Sequence, residues 1–243
     1  MPSKVNRKTQ SGNMSVYITE KIKNDIIEGN IKSGEIVTER DLEKRYGVSR
    51  TPIRTALKFL EREGWVDITP RQETRVTSFG SAEYKEALLI RQHTELLALK
   101  FSMHNLSANL LSDEDLNNLK AMTKDLDTVL HTVKSELDSC LQLYNDVDMR
   151  FHTSLYRMSN CSMLSRVHLC LQALFLRTYR LVPLDSYRIT AGALEIKRII
   201  QAILDKDLIT AEMVLAEHLI NSTHHKLLFL NEQERSLNNK HKA

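Results

Sequence analysis

The sequence predicts a mainly α protein in two parts: an N-terminal domain of three short helices and a hairpin, then a larger antiparallel bundle built only of helices. Three observations predict it. Residues 14–78 hold most of the glycines and alternate helical runs with β-prone ones. From Ser81 onward the chain is poor in Gly and Pro, rich in Leu, Ala, Glu and Lys, and helical in period in every long run. The charge is uneven too: residues 1–80 carry 15 Lys+Arg against 11 Asp+Glu, whereas the remainder carries 19 against 20. A basic first domain suits a polyanion partner.

Composition narrows the class. With 42% apolar and 27% charged residues, the chain can bury a core and stay in solution. Its three cysteines, Cys140, Cys161 and Cys170, include no C-x-x-C pair, which fits reduced thiols serving as small apolar fillers. No apolar run reaches membrane length and no signal peptide opens the chain, so the expected location is cytoplasmic, away from membranes. The polar ends, residues 1–13 and 233–243, are expected to be a disordered arm and tail.

The elements follow in order. Ile18, Ile22 and Ile26 recur every four residues, and Gly29 closes that first helix. Thr38 is placed as the N-cap of a second helix that stops at Gly47. Ser49 caps a third, with Pro52 in its first turn and Gly64 past its end. "WVDI" and "RVTSF", joined by a polar connection, read as a hairpin. On the third helix Ile53, Leu57 and Leu60 form a buried face, while Arg50, Arg54 and Lys58 line a different one at four-residue steps. The short Gly47-Val48 link makes the second and third helices a helix-turn-helix. A helix so placed can enter the major groove, where a planar arginine fork reads guanine O6 and N7. The hydroxyls of Ser49 and Thr51 suit phosphates.

"SGEIVTERDLEKRYGVSRTPIRTALKFLEREGWV" resembles the winged helix-turn-helix of the GntR family of bacterial transcription regulators. The residues that carry the match include Gly34, Glu39-Arg40, Leu42, Gly47 to Arg50, Pro52 to Arg54, Ala56-Leu57, Leu60 and Glu63 to Trp65. The resemblance implies that Arg40, Arg50 and Arg54 make most of the DNA contact, helped by Ser49 and Thr51. In the wing, Glu73 stands where the family often has Gly, which argues against close minor-groove approach. Arg71 remains placed to reach a phosphate.

The second domain, residues 81–232, reads as about six helices. Asp148 and His152 lie four apart in "DVDMRFH", on one helix face and about 6 Å apart along its axis. His218 sits among Val214, Leu215 and Leu219. Such an oxygen and imidazole set suits Zn, Ni, Mn or Fe. Asp/His pairs at this spacing are also common on surfaces, and a lone His on an apolar face is more often a core residue than a ligand. "DMRFHTSLYRMSN" resembles the D-x-x-F-H…N signature of the FCD effector domain found in the FadR subgroup of GntR regulators. That resemblance implies a metal held by Asp148, His152, His218 and one more His, but Ile196 occupies the position of the latter. Three protein ligands remain, and loss of the metal stays open.

Arg91, with Glu95 four residues on, suits a carboxylate ligand, and Arg177 is a second candidate for the same pocket. The expected effector residues are therefore Arg91, Asp148, His152, Arg177 and His218. The reading is a dimeric regulator, more repressor than activator, that binds a palindromic double-stranded operator and senses a small organic acid. Two alternatives stay open: an enzyme using Asp148, His152 and His218 as a non-haem iron site, and a constitutive regulator without effector.

Overall fold

The computed structural model describes residues 7–69, 73–78 and 81–240; the side chains of residues 7–13, 81, 173, 177–181, 230 and 233–240 lie outside that description. Contacts divide the chain into two compact units, Met1–Gly80 with Leu169–Arg180, and Ser81–His168 with Leu181–Ala243.

The first unit contains α1 (Arg7–Ile27), β1 (Ile36–Val37), α2 (Glu39–Tyr46), α3 (Arg50–Arg62), β2 (Val66–Ile68) and β3 (Thr74–Val76). Thr38 caps α2 as expected, its side chain accepting from the Asp41 amide, and Gly47 ends that helix at φ 66. Ser49 occupies the N-cap position of α3 but makes no side-chain cap bond, which corrects the capping role assigned to it. Its hydroxyl is left at the surface. Ile18, Ile22 and Ile26 of α1 meet Ile53, Leu57 and Leu60 of α3 around Trp65 in one core. The hairpin forms, with Val66 opposite Val76 and Ile68 opposite Thr74. A third strand was not foreseen: Ile36 and Val37 pair with Arg75 and Thr74, giving the order β1-β3-β2. Glu73, the residue standing for the wing glycine, pairs with Arg75 at 2.8 Å.

The second unit is built from α4 (Ser81–Ser107), α5 (Asp113–Thr132), α6 (Leu137–Met158), the first part of α7 (Ser162–Leu181), α8 (Ser186–Leu204) and α9 (Leu208–Lys240). Ser112 and Asp115 form a capping box at the start of α5. The core runs through Leu99, Leu126, Val147, Phe151, Ile199 and Leu215. Ile196 belongs to this apolar core and is fully buried.

Three expectations change. The ends expected to be unstructured carry helix at 7–13 and 233–240. Extending an established helix adds one hydrogen bond per residue fixed, so polar ends without Pro can continue it. Residues 169–180, expected in the second domain, group with the first unit, where Leu176 packs against the Trp65 cluster. Of the cysteines, Cys140 is a buried filler, but Cys170 is exposed.

Candidate functional site

Two sites form, one in each unit. In the first, the apolar face of α3 is buried by α1, which turns Arg50, Thr51, Arg54 and Lys58 to solvent. Arg40, Arg50, Arg54 and Lys58 line a concavity of about 570 Å³ with Thr38, Glu39 and Thr74. Ser49 and Thr51 are exposed at the start of α3. Arg71 lies outside the described residues.

In the second unit, α4 and α6 carry polar groups on their buried stripes. Arg91 and Glu95 occupy positions of α4 that continue the line of Tyr84, Leu88 and Leu99, and are 5% and 1% exposed. Arg91 and Glu95 thus form a buried ion pair, not a surface one. Asp148 and His152 continue the buried stripe of Tyr144 and Phe151 on α6, and His218 comes from α9. Their donor atoms form a nearly equilateral triangle. His152 Nε2 and His218 Nε2 are 3.3 Å apart, and Asp148 Oδ1 is 3.5 Å from each.

The opposite nitrogen of each imidazole is held by a carboxylate. His152 Nδ1 lies 2.6 Å from Glu95 Oε2 and His218 Nδ1 2.7 Å from Glu195 Oε2. An ionised carboxylate only accepts, so both Nδ1 atoms donate and both Nε2 atoms turn to the triangle. Each carboxylate is braced in turn. Arg91 Nε donates to Glu95 Oε1 at 2.7 Å. Arg188 donates to both oxygens of Glu195, at 3.2 and 2.8 Å, and Asn221 donates to Oε1.

Burial alone would raise the Glu95 carboxyl, but the charges and hydrogen bonds of Arg91 and His152 outweigh it and bring it down to about 2. Burial opposes ionisation of Glu195 as well, and His218, Arg188 and Asn221 bring it down to about 2. Asp148 is held well below the usual carboxylate range, despite burial, by His152 and His218. Burial disfavours charge on His218, yet Asp148 and Glu195 leave it raised overall.

Several site residues were not anticipated. Arg188 and Asn221 had no role in the sequence reading, although Arg188 and Glu195, seven apart, share a helix face. Lys226 is 5% exposed, and burial brings its ammonium down to about 8, with Arg91 lowering it further and Asp148 and Glu95 opposing. Gly192 lets Tyr144 approach α8: a Cβ there would stand 2.1 Å from the Tyr144 hydroxyl. Arg177 is placed on α7, but its side chain lies outside the described residues. His225 Nε2 lies 2.9 Å from the Pro183 carbonyl and is not among the donors of the triangle.

His168, also unforeseen, stacks on Tyr156 with ring centroids 4.3 Å apart and meets Thr153 Oγ1 at 3.1 Å. Burial is the largest effect on it and brings it down from 6.5 to about 4. The folded chain therefore keeps this ring neutral where an unfolded one takes up a proton. Its contribution is complete above pH 6.5 and is lost as pH falls toward 4, by no more than about 3 kcal/mol. Urea unfolding at pH 7 and pH 4.5 should show that loss, and His168→Gln should remove part of it. Equal losses in both proteins would assign the effect elsewhere. The low carboxyls act in a separate window, below about pH 4.5.

These features coincide with two protein families. Residues 15–76 match the family described as bacterial regulatory proteins, gntR family, and residues 86–221 match the FCD domain. The chain belongs to the GntR family, in the form that carries an FCD domain, and its class is that of a transcriptional regulator. The HTH-type transcriptional regulator YdhC of Bacillus subtilis is 30% identical over 110 residues, which cover 45% of this chain and 47% of that protein. The HTH-type transcriptional repressor RspR of Escherichia coli is 23% identical over 155 residues, covering 64% of this chain and 62% of that protein. The chain thus spans less than two thirds of the length of either relative. The solved structure of E. coli McbR/YncC shares the fold, with a TM-score of 0.68 at 20% identity, covering 91% of this chain and 98% of that one. The families and relatives matched are regulators, and the enzyme alternative is set aside.

Proposed function

We propose that this chain is a sequence-specific DNA-binding repressor, cytoplasmic and homodimeric on a palindromic operator, whose hold on DNA answers to a small organic acid in the helical bundle. The observation that carries the sensing half is the donor triangle. Asp148, His152 and His218 are the group able to hold a metal ion among the described residues. Ligand bonds of about 2.0–2.1 Å in a tetrahedral site put donor atoms about 3.3 Å apart. The separations of 3.3, 3.5 and 3.5 Å fit that figure. The oxygen and imidazole donor set would suit a divalent ion among Zn, Ni, Mn and Fe. The braces from Glu95 and Glu195 fix the imidazole tautomers as metal sites require.

Ile196, buried in the core, supplies no donor. A divalent metal, if bound, would be held by the other three residues and would supply a Lewis acid toward a carboxylate oxygen. Arg91, Arg188 and Lys226 supply positive charge around that site. On DNA, Arg50 and Arg54 read base edges in the major groove, with Arg40, Ser49, Thr51 and Arg71 on the backbone. The comparison with RspR supports repression. Exposed Leu97 and Phe101 on α4, and Ile209 and Met213 on α9, lie beside the Lys100–Glu212 pair that joins those helices. This apolar face supports dimerisation.

Elemental analysis of untagged protein beside His152→Ala tests the site. The expected result is about one Zn, Ni, Mn or Fe per chain in the wild type and none in the variant. Wild-type protein without metal would remove the metal from the proposal and revive the constitutive alternative, unless small carboxylates still shift its melting temperature.

A further inference from the structure

Arg50 and Arg54 both lie against carboxylates of α2. Arg54 Nε donates to Glu39 Oε1 at 2.6 Å. Arg50 Nε lies 3.4 Å from the other oxygen, Glu39 Oε2, and 3.5 Å from Glu43 Oε1. One carboxylate at the start of α2 therefore bridges two guanidiniums that stand one turn apart on α3. The arginine side chains are 55% and 56% exposed, so these pairs add little stability. Their effect is on conformation. Each contact engages Nε, the inner edge of the guanidinium, which leaves the terminal amino pair as the outer edge. A terminal pair is one of the edges that can meet guanine O6 and N7 with two hydrogen bonds.

We propose that Glu39 is a positioning residue for DNA reading: it holds Arg50 and Arg54 with their terminal amino groups turned outward, and its charge weakens sequence-blind binding. The proposal rests on the DNA-binding reading above. Two consequences follow from one residue. Ordering two long side chains before association removes a cost that specific binding would otherwise meet. A carboxylate among the arginines also subtracts from attraction to phosphate, which supplies essentially all non-specific affinity. Glu39 thus widens the ratio of specific to non-specific binding from both sides. Glu43, near Arg50 alone, acts more weakly.

The full chain is used to select duplexes from a pool with randomised central positions, and its affinity is then measured on the selected duplex and on a scrambled one. Glu39→Ala should bind the selected duplex roughly 3–10-fold more weakly, from the ordering of one or two side chains. It should bind the scrambled duplex as well as wild type or better, and guanine preference should blur in its own selection. Glu39→Gln, which keeps an oxygen for Arg54, should retain more of that preference. Melting followed through Trp65 should match wild type; if Ala lowers it, the near-isosteric Gln variant carries the comparison. Equal gains on both duplexes would reduce Glu39 to a phosphate repeller and overturn the proposal. Unchanged affinities and preference would overturn it too. A wild-type pool that stays random would sink the DNA reading itself, a result distinct from either.

Discussion

Glu95→Ala should lower the stability of the second unit by about 3–5 kcal/mol, the range for removing one partner from a buried charge pair. Glu95 is 1% exposed and sits between Arg91 Nε at 2.7 Å and His152 Nδ1 at 2.6 Å. Its loss leaves a buried guanidinium without this carboxylate and an imidazole without the acceptor that fixes its tautomer. In a domain of this size the melting temperature should fall on the order of 10 °C. If the triangle holds a metal as proposed, its affinity for that metal should fall about 10–100-fold with the loss of the outer brace. Glu95→Gln, which keeps the shape, should lie between the two proteins. A fall in melting of only a degree or two would mean that water reaches this cluster freely.

The second large effect belongs to the first unit. Ile53 is fully buried between α1 and α3, and Ile53→Ala should cost about 2–5 kcal/mol. Trp65, the single tryptophan of the chain, lies in the same core and makes the transition visible by fluorescence. Arg54, next in sequence, faces solvent. Arg54→Ala should leave the Trp65 transition in place while weakening the selected duplex. The two neighbours would then separate folding from recognition along one helix. A shared shift in the Trp65 transition would contradict the division of α3 into a packing face and a reading face.

The first unit was legible because its signals are local. Isoleucines every four residues, Thr38 before a helix and glycines past three helix ends each constrain the backbone within a few residues. β1 escaped because two residues cannot show alternation; Ile36 and Val37 are a strand only through β3. Ser49 shows the limit of reading caps, since position does not guarantee the bond. In the bundle, Asp148 and His152 were legible from spacing on one helix, and His218 from an ordered match to a known domain. Of their braces, Glu95 was named beside Arg91 but not as the partner of His152. Arg188, Glu195 and Lys226 reach the cluster from α8 and α9, and distance along the chain hides such convergence. Ile196 lies in the apolar core and offers no donor atom.

Lys226 completes a sum. Around the donor triangle stand three cations, Arg91, Arg188 and Lys226, and three anions, Glu95, Asp148 and Glu195. With both imidazoles neutral, as metal ligands must be, these groups sum to no net charge. A divalent ion added to it would bring two positive charges into surroundings that solvate charge poorly. Something must restore the balance, and a neutral small molecule cannot. One dianion or two monoanions can, whatever the shape of the rest of the molecule. A loaded site would therefore choose its occupant first by valence and only then by fit.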